Sequence, residues 1–521
     1  MSHLSPSTPR IIGHGISSHE SQHVGCAPFF YHVYLLEKPT TSSGIDSDGL
    51  QIRSIHILDD DSLLNIFHLY RRVLIDEERD DEIYFLVEGR WDRERWWYKL
   101  VQVCRRWRYL MLGSASHLDL CLLCTYGTPV TDMLAHSPPL PLIIDYFDFD
   151  ESHDITTRDE ENILLALQHH DRVRRIRLQM PIPNPRKIII AIDGEFPMLE
   201  SLFLWNPANI NRSLIFPKTF QAPHLRCLIL DDIVYPIGSP SITTAVGLVT
   251  LMLSIPPFPY ISPYQFLLWL SLFPQLETLG IGFFSPIPTR DVERQLLHMP
   301  VMTHITLPNL RRFVFKGVSA YLEGLLPHIM TPLLETFQIE FVKQPTISIP
   351  HLQQFMTTTK KFRFNCAELQ FYEAVIAVWM YPREWRGMEL EPFSMIMDCR
   401  RLDQQVASLA QISNALRSAL SAVEDLTLLC FRRSISSRGA DRTQWRELLS
   451  PFTNVTTLTV PEELIGQLSR SLHSDDGEAL MELLPELKEL SYPASDDTSD
   501  AFAAFIDARQ NAGHPVAVDH L

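Results

Sequence analysis

An internal repeat constrains this chain more than any other feature. The pattern Pro-x-Leu-x-x-Leu-x-Leu, with other apolar residues at some leucine positions, occurs as PMLESLFL (197–204), PHLRCLIL (223–230), PQLETLGI (274–281), PNLRRFVF (308–315), PLLETFQI (332–339) and PELKELSY (485–492). Looser copies are DRVRRIRL (171–178), VGLVTLML (246–253), SAVEDLTL (421–428) and TNVTTLTV (453–460). Their first apolar positions fall at 173, 199, 225, 248, 276, 310 and 334, then at 423, 455 and 487. A recurrence of this length marks a stacked-repeat architecture rather than a domain built around one centre. The interval between 334 and 423 has room for two decayed copies, expected near Phe362 and Met388.

Each Leu-x-x-Leu-x-Leu reads as a short strand whose leucines point inward, followed by a helix or irregular segment that covers them. One unit cannot bury that face alone, so neighbouring units must stack. The expected fold is α/β: a curved parallel sheet with helices on its convex side. The prolines are expected at strand entry, where no ladder hydrogen bond is lost. The alternate strand positions then face the concave side. They include Arg175, Arg177, Phe203, Trp205, Ile229, Met252, Arg312, Lys316 and Gln338. Apolar and aromatic side chains there are candidate contacts for a target protein, unless loops or the C-terminal tail cover them. Arg175 and Arg177 are candidates for reading a phosphorylated segment.

Composition removes several function classes. The chain has 45 Lys+Arg against 62 Asp+Glu, a net charge of −17, which opposes a broad phosphate-binding surface. Free nucleic acid and an anionic membrane face are therefore not expected partners. Eight scattered cysteines among 521 residues read as reduced thiols of an intracellular protein, cytoplasmic or nuclear. The opening residues, MSHLSPSTPRIIGHGISSHESQ, lack the basic start and apolar run of a secretory signal. From Ile233 to Leu276 there is no charged residue, but Pro256, Pro257, Pro259 and Pro263 divide the run. The pieces are too short to span a bilayer, and buried core is the expectation.

Catalytic and metal motifs are absent from the sequence. There is no Gly-x-Ser-x-Gly, His-Glu-x-x-His, P-loop or Gly-x-Gly-x-x-Gly. Cys121 and Cys124 form the one Cys-x-x-Cys, with no second pair to complete a zinc site, and on a strand they face opposite ways. His169 and His170 read as a turn. The acidic runs 76–82 and 147–152 lack the glycine and terminal glutamate of a calcium loop. No catalytic residue, metal or cofactor is expected.

The N-terminal part differs. Residues 1–50 are rich in Ser, His, Thr, Pro and Gly and are expected to be mostly disordered. Asp59, Asp60 and Asp61 suit a helix start, and Leu63, Ile66, Phe67 and Tyr70 then share one helix face. A second amphipathic helix carries Leu100, Val103, Cys104, Trp107, Leu110 and Met111. LDDDSLLNIF (58–67) and LVQVCRRWRYL (100–110) resemble an F-box, whose usual pattern is close to LPxEhLxxIF…LxxVCRxWRxL, with h apolar. The second half matches closely. The first departs at Asp59 and Ser62, and residues 68–99 intervene where a few are usual. With the repeats, and with SPPLPLIID (137–145) and HHDRVRRIRL (169–178), the chain resembles the large F-box proteins of mushroom-forming fungi.

The resemblance implies an F-box-like helical module at 51–116, with a charged insertion at about 71–98, and a degenerate leucine-rich-repeat solenoid at 117–521. It also implies a substrate-recruiting subunit of a ubiquitin ligase. Leu58, Leu63, Leu64, Ile66, Phe67, Val103, Cys104, Arg105, Trp107 and Leu110 would bind a Skp-type adaptor, which bridges to a cullin, while the repeats hold the target. The alternative is a repeat scaffold unconnected with ubiquitin, in which these helices cap the array.

Overall fold

The computed structural model describes residues 58–76, 95–147, 155–180, 184–206, 214–236, 242–255, 261–283, 304–342, 344, 347–359, 361–385, 392–432, 440–472, 483–493 and 500–520. The expectations for residues 1–50, for most of the charged insertion and for Met388 lie outside this set. The elements below all belong to one unit, Asp59–Leu521.

Among the described residues, the helices α1 (Asp60–Asp76) and α2 (Arg105–Gly113) come first. The chain then runs through β1 (Leu122–Cys124), α3 (Val130–His136), β2 (Leu142–Tyr146), α4 (Thr157–Leu167), β3 (Val173–Gln179), α5 (Pro185–Ile192) and β4 (Ser201–Trp205). The short β5 (Leu214–Ile215), β6 (Cys227–Asp231), the short β7 (Ile233–Val234), β8 (Thr250–Ile255), α6 (Pro263–Leu270) and β9 (Thr278–Phe283) follow. Next are the short β10 (Ile305–Thr306), β11 (Arg312–Gly317), α7 (Ser319–Leu325), the short β12 (Ile329–Met330), β13 (Thr336–Phe341) and α8 (Pro350–Thr358). The last part holds β14 (Cys366–Phe371), β15 (Val375–Tyr381), β16 (Phe393–Asp398), α9 (Leu402–Ala415), α10 (Arg417–Leu420) and β17 (Asp425–Cys430). It ends with α11 (Arg442–Leu449), β18 (Thr457–Thr459), α12 (Glu462–Leu472), β19 (Glu489–Tyr492), α13 (Ala503–Asn511) and β20 (Ala517–His520).

Among the described residues, sixteen strands make one sheet in the order β1-β2-β3-β4-β6-β8-β9-β11-β13-β16-β15-β14-β17-β18-β19-β20. The fold is therefore mixed α/β around a large, mainly parallel sheet. The repeat copies lie in register: Leu202 pairs with Leu228, Leu228 with Leu251, Leu251 with Leu279, Leu279 with Phe313 and Phe313 with Phe337. Each of these six side chains is fully buried. At about 2 kcal/mol per buried side chain, such a ladder supplies the core that no single unit has. Helices close over the same face, as Phe337 against Phe355 of α8 and Phe371 against Trp445 of α11 show.

The prolines do not sit at strand entry. Leu199, Leu225, Leu276, Leu310, Leu334 and Leu487 each donate their N–H to the carbonyl three residues back, which places Pro197, Pro223, Pro274, Pro308, Pro332 and Pro485 at the second position of a tight turn. That is where a fixed φ favours the turn. The first leucine of the pattern thus belongs to the turn, and only the last two lie on the strand.

Among the described residues, the chain between β13 and 423 holds three strands, β14, β15 and β16, rather than two simple copies. β16 returns beside β13, β15 runs antiparallel between β16 and β14, and β14 pairs with β17. Phe362 precedes β14 and is half-buried. Gln405 and Arg432 pin the β14–β15 turn from below. The Gln405 amide donates to the carbonyls of Tyr372, Val375 and Cys399, and Arg432 donates to Tyr372, Arg400 and the Gln405 oxygen.

The charge-free stretch from Ile233 is core, as Phe266, Leu267, Leu270, Phe273 and Leu276 are all fully buried. No described helix is long and apolar enough to cross a membrane.

Two tests follow from Arg509 and His328. Arg509 on α13 is fully buried and donates to the carbonyls of Leu484, Pro485 and Leu487, holding the turn before β19. Arg509→Ala leaves those carbonyls unpaired and is expected to cost about 3 kcal/mol. Hydrogen exchange should then rise in 483–492 and 503–520 but not in β4 to β9. His328 is the second. Burial, then the charges of His304 and His351, hold its imidazole below the usual value of 6.5. The unfolded chain therefore takes up this proton at a higher pH than the fold does, so the stability contributed is complete above about pH 6.5 and is lost as pH falls below it. The melting temperature should drop between pH 7.5 and 5.5, and drop less in His328→Gln.

Candidate interaction site

The N-terminal helices are built by local rules. Asp59 caps α1 by accepting the Ser62 N–H at 2.7 Å, which holds the Asp59 carboxyl below the usual carboxylate range. Cys104 caps α2, its thiol accepting the Trp107 N–H at 3.4 Å. The two helices meet through the Phe67 and Trp107 rings, edge to face at 4.9 Å, and through Arg106 on Asp60 at 2.6 Å.

Of the residues expected to face an adaptor, Leu63, Phe67 and Leu110 are buried inside the chain. This corrects that part of the expectation: their side chains are packed inside the chain, Phe67 against Trp107. Leu58, Leu64, Cys104 and Trp107 are half-buried, and Arg105 is exposed. The stripe that α1 leaves in solvent is Ile66, Leu69, Tyr70 and Val73, at 41%, 57%, 44% and 58% exposure. Val103 and Tyr109 are also exposed, beside and on α2. Leu69 and Val73 were missed in the sequence because Leu63, Ile66, Phe67 and Tyr70 satisfied the helical spacing, while the true inward face is centred on Leu63 and Phe67.

The module is bonded to the first strand. The Trp97 indole N–H donates to the Cys121 carbonyl at 3.2 Å, and the Leu123 N–H donates to the Tyr98 hydroxyl at 3.3 Å. β1 is the outermost strand, so these bonds occupy polar groups that would otherwise invite another chain. Asp119, in the left-handed region at φ 55°, accepts from Arg71 at 2.5 Å and from Arg174. Burial disfavours the Arg174 charge, but Glu200 at 2.9 Å and Asp119 more than restore it, so its pKa lies above the ordinary value.

The sheet's opposite face carries the alternate positions in register. One row runs Asp145, Arg177, Phe203, Ile229, Met252, Gly280, Val314, Gln338. Phe203 and Ile229 are nearly buried, in a cluster with Phe147 and Cys227 against which Trp205 and Met252 pack. A Cβ added at Gly280 would lie 3.1 Å from the Met252 side chain, so glycine permits that close approach. Several cations projected as free are engaged. Arg177 lies over the Phe147 ring at 4.7 Å and pairs with Asp145 at 3.6 Å. Arg312 donates to Gln338 at 3.0 Å, and Lys316 pairs with Glu340 at 2.7 Å. Arg175 stands in the next row, beside Ser201 and Ile143.

Cys121 and Cys124 do face opposite ways. Cys121 packs with Leu123 and Ile143, while Cys124 is fully buried and burial pushes its thiol up to about 12. Among the described residues no cluster of His, Cys, Asp and Glu could hold a metal ion.

No protein-family model matches the chain, and no curated protein does. Among solved structures, the leucine-rich repeat-containing protein LegL7 from Legionella pneumophila aligns at 11% identity over 64% of this chain and 98% of that one, with a TM-score of 0.26.

The seal on β1 can be tested by itself. Trp97→Phe and Tyr98→Phe each remove one bond to the edge, at an expected cost of about 1 kcal/mol in urea unfolding. Light scattering should show that the double variant associates at concentrations where the parent chain stays monodisperse.

Proposed function

We propose that the chain is a protein-interaction scaffold that works as the substrate-recruiting subunit of a Skp-cullin-F-box ubiquitin ligase. The observation that carries this reading is the division of labour in α1. Its inner face, Leu63 and Phe67, is spent on the chain itself, while Ile66, Leu69 and Val73 form an exposed apolar stripe, with Tyr70 beside them in ring contact with Trp96 at 6.4 Å. A stripe of that kind beside a Val-Cys-Arg-Arg-Trp-Arg helix suits a helical adaptor. The opposite face of the sheet, where Trp205 and Met252 stay partly accessible over the buried Phe203 and Ile229, suits a target. Catalysis would then belong to other subunits. This chain's contribution is proximity, since a held target presents its lysines at high effective concentration.

The alternative is a repeat scaffold outside the ubiquitin pathway. The bonds of Trp97 and Tyr98 to the β1 edge favour it, because they give the helices a capping role that needs no adaptor. Co-purification with a Skp-type adaptor separates the two. The wild-type chain is expected to retain the adaptor, and Leu69→Asp with Val73→Asp to lose it at least 30-fold, roughly 2 kcal/mol, with an unchanged thermal melt. Failure of the wild-type chain to bind adaptor would leave the scaffold reading.

A further inference from the structure

The opposite face of the sheet changes character where β15 reverses. The register row continues from Gln338 through Ser394, Trp379, Glu368, Thr427 and Thr459. Glu368 alone in this stretch bears a charge. Its Oε1 accepts from the Tyr381 hydroxyl and its Oε2 from the Gln370 amide at 3.0 Å, while Gln370 accepts from the Tyr372 hydroxyl at 2.8 Å. Those donors are neutral, and among the described residues Glu368 makes no ion pair. Other acids of the same face differ: Asp145 has Arg177, Glu340 has Lys316 and Asp425 has Arg383. A carboxylate offers about four acceptor sites, so two remain. Trp379 is its direct partner across the antiparallel pair. The indole is half-buried, and its Nε1 is itself buried with no acceptor among the described residues. Nearby, Tyr372 stacks at 4.8 Å on the exposed Phe431.

An oriented, half-exposed carboxylate held by neutral donors, next to an aromatic plane, fits a guanidinium better than any other side chain. Arginine can fork onto the free lone pairs while its plane lies on the ring. We propose that Glu368 and Trp379 receive an arginine side chain of a bound protein segment, the guanidinium forking onto the carboxylate and lying on the indole. The net charge of −17 favours a basic partner. The proposal rests on the reading that this face holds a protein target, and it adds what the target must carry.

The test uses the full chain and random dodecamer peptides displayed on phage. Selected peptides are expected to share an arginine whose replacement by citrulline weakens binding roughly tenfold. Glu368→Gln should weaken it equally, and the two changes together should cost no more than either alone. Trp379→Leu should cost roughly threefold. If Glu368→Gln melts early, the citrulline peptide on the unaltered chain and the Trp379→Leu variant carry the same comparison. Peptides that are lost on Met252→Glu but indifferent to Glu368→Gln would overturn this assignment and leave the face as a target site. Absence of binders, or binders indifferent to both substitutions, would overturn both. Equal affinity with lysine in place of arginine would sink the forked geometry.

Discussion

Everything in this chain depends on apolar side chains that are buried only because a neighbouring strand brings an identical row beside them. Leu228 has no interior of its own; its burial is completed by Leu202 on one side and Leu251 on the other. Stability of this kind is passed between nearest neighbours, and it leaves an unsatisfied face wherever the stack ends. The two ends are treated differently. At β1 the polar edge is occupied by Trp97 and Tyr98, whereas at the far end β20 is four residues long, exposed, and carries Asp519. A short charged edge strand resists pairing with another chain.

The same constraint explains how much was readable in the sequence. The strands β4, β6, β8, β9, β11 and β13 announce themselves because each needs two inward apolar residues at a fixed offset from a turn. The turn itself was misplaced, since a proline two residues before a leucine is compatible with strand entry until the Leu199-to-Phe196 type of hydrogen bond is seen. β20 was invisible: Ala517–His520 contains no leucine and contributes nothing buried. The Phe203 and Ile229 rows were legible as facing away from the leucines, but not as nearly buried, because their packing against Phe147 requires residues far apart in sequence.

The region from 342 to 424 shows what happens when the pattern is relaxed. Without a strict leucine phase, the chain skips two positions in the sheet, turns back through β15 and fills the gap with β16 before resuming. That detour needs polar fixings, which is why Gln405 is fully buried yet bonded to three carbonyls. An isolated repeat unit has no use for such a residue. Its presence follows from the three strand ends that converge at Tyr372, Val375 and Cys399.

The antiparallel strand also changes what the opposite face can offer. Reversing β15 sets Trp379 against Glu368, residues 11 positions apart in the chain yet directly paired across strands. The face therefore has an apolar half around Phe203 and Met252 and a polar half around Glu368, with Gly280 and Val314 between them. On the proposed reading, a bound segment would have to satisfy both halves at the correct spacing, and a wrong residue at the carboxylate would leave it charged and uncompensated.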